Sequence, residues 1–218
     1  MKVGTDGVLL GAWAGQGSPD SVLDIGTGSG LIALMLAQRF PEARITGIDI
    51  DRDAAMQARE NFGKSPWKDR LLAMHISLQE FCRTHANQRF DLIVSNPPFY
   101  DTTLTNPDTR KTTARHTGGL AHNELLLLSA SLLSDPGVFS LIIPSESEKS
   151  LLRLAGRSGL HLLRLTRVFS KPGSRQRRTL AEFGKTPSAT PVEDTLTLMN
   201  PDGSRSGAHA GLTGDFYL

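Results

Sequence analysis

The stretch Val22-Leu23-Asp24-Ile25-Gly26-Thr27-Gly28-Ser29-Gly30 decides how this chain is read. A short apolar strand, Ser21–Ile25, runs into a turn built on three glycines, and a helical pattern, Leu31–Phe40, follows directly. Glycine tolerates positive φ and lets a ligand come close to the backbone, while a helix start presents unpaired N–H groups. Nineteen residues after Gly30 stands Asp49, near the end of a β-branched strand, Arg44–Ile50. In a doubly wound sheet that position accepts hydrogen bonds from a ribose. A nicotinamide dinucleotide is one candidate ligand, but its G-x-G-x-x-G fingerprint calls for a glycine where Leu31 stands. The pattern present is D-x-G-x-G-x-G, and its opening acid suits a cofactor that carries an amino acid, so S-adenosylmethionine is favoured. The plain alternatives are a tight turn without a ligand for Gly26, Gly28 and Gly30, and a surface acid or local cap for Asp49.

Outward from this turn, strands and helices alternate. Asp51 is placed to cap a helix over Arg52–Phe62. Leu71–Ile76 is a weak strand and Phe90–Ser95 a buried one, closed by Asn96-Pro97-Pro98. A polar loop follows from Asp101 to about Gly119, then a helix over Asn123–Leu133, a strand over Val138–Pro144 and a helix over Glu146–Arg157. His161–Val168 and Arg178–Phe183 have no helix long enough to cross between them, which points to an antiparallel pair at one edge. The expected fold is therefore α/β, a doubly wound, seven-stranded, mostly parallel sheet with an antiparallel edge hairpin. One domain over 1–218 is expected. Residues 185–218 supply a linker (Lys185–Pro191), room for one more strand near Thr195–Met199, and a Gly/Ser-rich mobile tail from Pro201 to Gly214, after which Phe216-Tyr217-Leu218 can dock.

Composition narrows the class. At 218 residues, 39% hydrophobic and 21% charged, the chain reads as one ordinary globular domain. No apolar run approaches the roughly 20 residues of a membrane span, and no signal-peptide pattern opens it. Cys82 is the single cysteine and the six histidines show no paired spacing, so neither a disulfide nor a metal site is expected. These features fit a cytoplasmic protein. The net charge of +2 says little, but Arg153, Arg157, Arg164, Arg167, Lys171, Arg175, Arg177 and Arg178 follow one another without an intervening Asp or Glu. Such a stretch can track a phosphate backbone; the bland reading is a solvated rim. Arg110, Lys111 and Arg115 in the polar loop are the next candidates for RNA contact.

Asn96-Pro97-Pro98-Phe99 lies at the carboxyl edge of the sheet, where open α/β folds bind ligands. Two prolines fix the backbone and remove two donors, so nearby carbonyl oxygens are held with few internal partners. An exocyclic amine needs such acceptors, because its lone pair is delocalised into the base. With the Asn96 side-chain oxygen and the Pro97 carbonyl each taking one amine hydrogen, the nitrogen can pyramidalise towards a methyl donor, while Phe99 stacks on the base. A proline turn with Phe99 tucked into the core is the alternative.

DIGTGSG, Asp49 and NPPF together resemble the class I methyltransferases that modify amino nitrogens. The run Lys2-Val3-Gly4-Thr5-Asp6-Gly7-Val8-Leu9-Leu10-Gly11-Ala12-Trp13, with Asn96–Tyr100, Ala114-Arg115-His116 and Asp215-Phe216-Tyr217-Leu218, resembles the bacterial tRNA1(Val) adenine-37 N6-methyltransferase family over essentially the whole chain. That resemblance implies transfer of a methyl group from S-adenosylmethionine to an adenine N6 in tRNA. It places Thr5 and Asp6 in an N-terminal segment, residues 1–20, that closes over the cofactor. Asp24, Gly26, Gly28 and Gly30 then surround the amino-acid part, Asp49 and Ile50 the ribose, and Ser77 and Leu78 the adenine. Asn96, Pro97, Pro98 and Phe99 receive the base, with Tyr100 beside them, and Asn96 also borders the cofactor. Read without it, Thr5-Asp6 is only a helix cap. Two departures stand out. Relatives usually carry an acid where this chain has Ser77, so Ser77 bonds more weakly or Gln79 substitutes. They also tend to have a short segment before the lysine–glycine–threonine run, whereas this sequence opens at Met1. The rival readings are a protein-glutamine N5-methyltransferase, a ribosomal guanine N2-methyltransferase, and a catalytically silent RNA-binding subunit.

Overall fold

The computed structural model describes residues 4–97 and 122–216. The first helix, α1 (Thr5–Trp13), precedes β1 (Ser21–Ile25), α2 (Leu31–Arg39), β2 (Arg44–Asp49), α3 (Arg52–Lys64), β3 (Leu71–His75), α4 (Leu78–Thr84) and β4 (Phe90–Ser95). The second half holds α5 (His122–Leu132), β5 (Leu133–Pro144), α6 (Glu148–Arg157), β6 (His161–Phe169), β7 (Gln176–Gly184), β8 (Val192–Thr197) and α7 (Gly207–Thr213).

The strands form one sheet in the order β3-β2-β1-β4-β5-β7-β6-β8. β1 to β5 pair in parallel, and β7 runs antiparallel to both β5 and β6. Eight strands stand where seven were expected. The added one is β8, which pairs parallel with β6 and covers what would otherwise be the free edge of the β6–β7 hairpin. It starts three residues before the stretch Thr195–Met199 and buries chiefly Leu196.

Alternation along the strands sorts the core into two faces. Val22, Ile45, Leu92, Val94 and Ile142 join Leu10, Leu36 and Phe62 from α1, α2 and α3. Leu23, Ile48, Ile93, Leu141 and Ile143 join Phe81, Leu126 and Leu151 from α4, α5 and α6. Each fully buried Leu, Ile or Phe of this kind contributes about 1.5–3 kcal/mol.

Two segments differ from expectation. The run Pro201–Gly214 is not a loose tail, because α7 forms within it. Ser206 caps the helix by accepting from His209 N at 3.0 Å, and Leu212 and Phe216 pack onto the Val8, Ala12 and Met35 cluster beside α1. The second is α4, a short helix between β3 and β4 where none was expected. Ser77 Oγ accepts from Glu80 N at 3.2 Å, the first half of a capping box at Ser77-Leu78-Gln79-Glu80.

Candidate active site

A cleft of about 490 Å³ opens at the carboxyl ends of β1 to β4, a volume within the roughly 300–1,000 Å³ that small-molecule sites occupy. Its floor is the Gly26–Ser29 turn, and Asp49 and Ile50 come from β2. Ser77, Leu78 and Gln79 come from the β3–α4 junction, and Asn96 and Pro97 from the end of β4. Gly4 and Gly7 bring the start of α1 to its rim.

The turn is held from both sides. Gly26 and Thr27 each donate their N–H to the Ile48 carbonyl, at 2.9 and 3.0 Å. Asp49 Oδ2 accepts from Gly28 N at 2.8 Å and its Oδ1 from Asp51 N at 2.9 Å. Each carboxylate oxygen keeps a second lone pair, so Asp49 can shape the turn and still accept from a ribose hydroxyl. Gly26 has φ +71° and a Cβ there would meet nothing within 4 Å, so the backbone at this point is open to a ligand. Gly30, φ +84°, differs: a Cβ would drive into the Phe62 ring, so this glycine secures the contact between α2 and α3. Ser95 Oγ donates to the Ile25 carbonyl at 2.9 Å, which fixes Asn96 across the cleft from the turn. Asp51 caps α3 by accepting from Asp53 N and Ala54 N.

Asp24 does not face the cleft. It is fully buried beneath the turn, where Oδ2 accepts from the Thr27 hydroxyl at 2.7 Å and Oδ1 has no hydrogen-bond partner. In this position it holds the turn from beneath. Burial pushes its carboxyl up to about 7; the Thr27 hydrogen bond pulls the other way, and the Asp49 charge adds to the rise. The unfolded chain loses this proton near 3.8 and the folded one near 7. Between those values the unfolded state binds fewer protons, so stability falls as pH rises, by about 1.4 kcal/mol per unit. Asp24→Asn should remove that component, so urea unfolding between pH 5 and pH 7 should show a flatter slope in the variant. Identical slopes would mean that Asp24 is ionised in the folded protein.

Other assignments change as well. Thr5 is exposed and Asp6 turns away from the cleft, its Oδ2 accepting from Arg178 Nε at 2.8 Å; Gly4 and Gly7, on either side, are the residues that line it. Gly30 is a packing residue rather than a lining one. Pro98, Phe99, Tyr100, Arg110, Lys111 and Arg115 lie outside the described residues. Gln79, the expected alternative to Ser77, lines the cleft, and so do Thr27, Ser29, Ile76 and Leu125, which the sequence did not mark as cofactor contacts.

The basic stretch loses its single sign on folding. Arg164 is engaged within the fold: its guanidinium lies 3.7 Å over the Trp13 ring and pairs with Glu182 at 3.2 Å, in a side chain only 15% exposed. Arg167 pairs with Glu148 and Glu193, Arg175 with Glu146, and Arg178 with Asp6. Acids distant in sequence thus neutralise much of the stretch. What remains is well placed, because Arg178 pairs with Pro144 in the β5–β7 register. This puts the β6–β7 turn, with exposed Lys171 and Arg177, at the same carboxyl edge as Asn96. Among the described residues no helix is long and apolar enough to cross a membrane, and no cluster of metal-ligating side chains forms.

The profile of the methyltransferase small domain family matches residues 7–148. A tRNA1(Val) (adenine(37)-N6)-methyltransferase from Phocaeicola vulgatus is 46% identical over 218 residues, all of this chain and 91% of that protein. Proteins of the same name from Vibrio vulnificus and Cronobacter sakazakii are 43% and 41% identical, over all of this chain and 89% of theirs. Among solved structures, a predicted O-methyltransferase from Agrobacterium tumefaciens superposes with a TM-score of 0.75 over 96% of both chains, at 17% identity. The glycopeptide N-methyltransferase MtfA, solved with S-adenosylmethionine, gives 0.59 over 83% of this chain and 95% of its own, at 14% identity. The last two likenesses concern the fold. With the profile covering most of the chain and full-length relatives above 40% identity, the chain belongs to the methyltransferase small domain family and, within it, to the tRNA1(Val) (adenine(37)-N6)-methyltransferases.

Proposed function

We propose that the protein transfers a methyl group from S-adenosylmethionine to N6 of adenine 37 in tRNA1(Val), releasing S-adenosylhomocysteine and a proton. The observation that carries this reading is the meeting of Asn96–Pro97 with the Gly26–Ser29 turn in one cleft. The residues present fit the cofactor: an open backbone at Gly26, a carboxylate at Asp49 with acceptor capacity left, and apolar Ile50 and Leu78 beside it. Bound there, S-adenosylmethionine supplies an already activated methyl group, so the chain itself needs neither a metal nor a nucleophile. Asn96 is the residue assigned to the incoming base. Its side-chain carbonyl and the Pro97 carbonyl accept the two hydrogens of the adenine amine, drawing its lone pair out of conjugation and aiming it into the cleft. Phe99 supplies the stacking surface for a base taken out of its helix. Transfer RNA places the reaction in the cytoplasm.

Incubation with labelled cofactor and tRNA, followed by nucleoside analysis, should yield N6-methyladenosine, and replacing adenine 37 by guanine should abolish it. N2-methylguanosine or labelled protein would instead support the guanine or glutamine reading.

RNA affinity should depend on the exposed cations at the carboxyl edge. Lys171→Ala and Arg177→Ala should each flatten the log–log dependence of affinity on salt by about 0.7–0.9, leaving cofactor binding unchanged. Wild-type affinity in both variants would remove this turn from the RNA interface.

A further inference from the structure

Past Asp49 and Ile50 the cleft ends at Ser77 and Gln79. This end is tied to β2: Ile76 N donates to the Asp49 carbonyl at 2.9 Å, and His75 Nε2 lies 3.1 Å from the Ile50 carbonyl. With Asp49 taking the ribose and the Gly26–Ser29 turn the amino-acid part, the end of the cleft left for the purine is the one formed by the exposed Ile50 side chain, Ser77 and Gln79.

That end of the cleft is neutral. Among the described lining residues the carboxylates are Asp49 and Asp51, and Asp51 is engaged in capping α3. The next acid along, Glu80, is held by Arg83. Ser77 Oγ already accepts from Glu80 N, so its remaining offer is chiefly a donated hydrogen. Gln79, exposed on the first turn of α4, carries an acceptor and a donor side by side on an amide that can rotate. A carboxylate accepts only, and so demands an amine opposite it. A carboxamide matches the amine-and-ring-nitrogen edge of a 6-aminopurine. Turned by half a rotation, it also matches the reversed polarity of a 6-oxopurine.

Resting on the reading that S-adenosylmethionine occupies this cleft, we infer that Gln79 reads position 6 of the cofactor's purine, and that the site accepts the 6-oxo, inosyl form of the cofactor nearly as well as the 6-amino form. Calorimetric titration with S-adenosylhomocysteine and S-inosylhomocysteine tests this without any turnover. In the wild-type protein the two dissociation constants should lie within about tenfold of each other. Gln79→Ala should weaken both ligands by about three- to tenfold. Ser77→Asp should keep the 6-amino ligand and raise discrimination against the 6-oxo one by about thirtyfold or more, since a desolvated carboxylate facing a carbonyl is left unpaired. Aspartate is as good a helix cap as serine, so that variant retains α4. A wild-type preference above about tenfold, or unchanged binding of both ligands by Gln79→Ala, overturns the inference. Failure of the wild-type protein to bind either ligand overturns the cofactor reading beneath it as well.

Discussion

Replacing Asn96 with alanine is expected to lower kcat by about 10²–10³, the effect of removing one positioned hydrogen-bonding group from a water-poor site. The adenine amine is a poor nucleophile in its ground state, so an acceptor that strengthens as the nitrogen pyramidalises acts mainly on the transition state. Asn96 is set for this by its surroundings. It follows β4, whose Ser95 hydroxyl is tied to the Ile25 carbonyl, and Pro97 behind it is buried and fixed in φ. The variant should therefore keep its fold and bind S-adenosylhomocysteine within a few-fold of the wild type. Single-turnover methylation of tRNA, read beside melting temperature and cofactor affinity, separates chemistry from stability. If Asn96→Ala methylates tRNA at the wild-type rate, the amine-acceptor mechanism is wrong.

The turn from Ser21 to Gly30 was legible because its geometry is local. Glycines with φ of +71°, +58° and +84° at positions 26, 28 and 30 are needed by the backbone itself, and strand and helix follow from apolar spacing on either side. Asp49 was legible for the same reason, as the end of a strand one crossover away. Two misses also have local causes. The serine at position 77 reads as a lost acid if compared with relatives, yet Ser77-x-x-Glu80 is a capping-box sequence whose serine half forms, and that signal announces α4. Ser206 likewise announces α7, in a run whose glycines suggest looseness.

What sequence order hid was long-range pairing. Arg164 belongs to a run of basic residues without acids, and only the sheet brings Glu182 beside it, eighteen residues on. Arg178 meets Asp6 across 172 residues. Asp24 sits in a cofactor motif, but one turn of chain decides whether it looks into the cleft or under it, and the Thr27 hydroxyl holds it under. Charge along a sequence therefore overstates the charge that a folded surface presents.

The largest loss of stability is expected from Glu182→Ala. Glu182 lies on β7, is 4% exposed, and its Oε2 accepts from Gly15 N at 3.0 Å, Ser140 Oγ at 2.7 Å and Arg164 at 3.2 Å. Arg164 in turn donates to the Trp13 carbonyl at 2.8 Å, and Arg39 donates to the Gly11 and Ala14 carbonyls at 2.8 and 2.7 Å. The two arginines thus satisfy the carbonyls that the last turn of α1 leaves without partners, and one carboxylate balances them. Burial and the neighbouring Arg164 charge push Arg39 below its ordinary value, while Glu182 draws it back up. Without Glu182 a buried guanidinium and a buried N–H lose their acceptor, which should cost about 3–5 kcal/mol and lower Tm by about ten degrees. Because α1 carries Gly4 and Gly7 to the rim of the cleft, cofactor affinity should fall with it. Glu182→Gln keeps an acceptor and should lose less. Arg164→Met combined with Glu182→Ala should recover part of the loss, since removing both charges is gentler than stranding one. Melting curves and S-adenosylhomocysteine titrations on the three variants decide it: a Glu182→Ala protein as stable as the wild type would show that α1 is held by its apolar face alone.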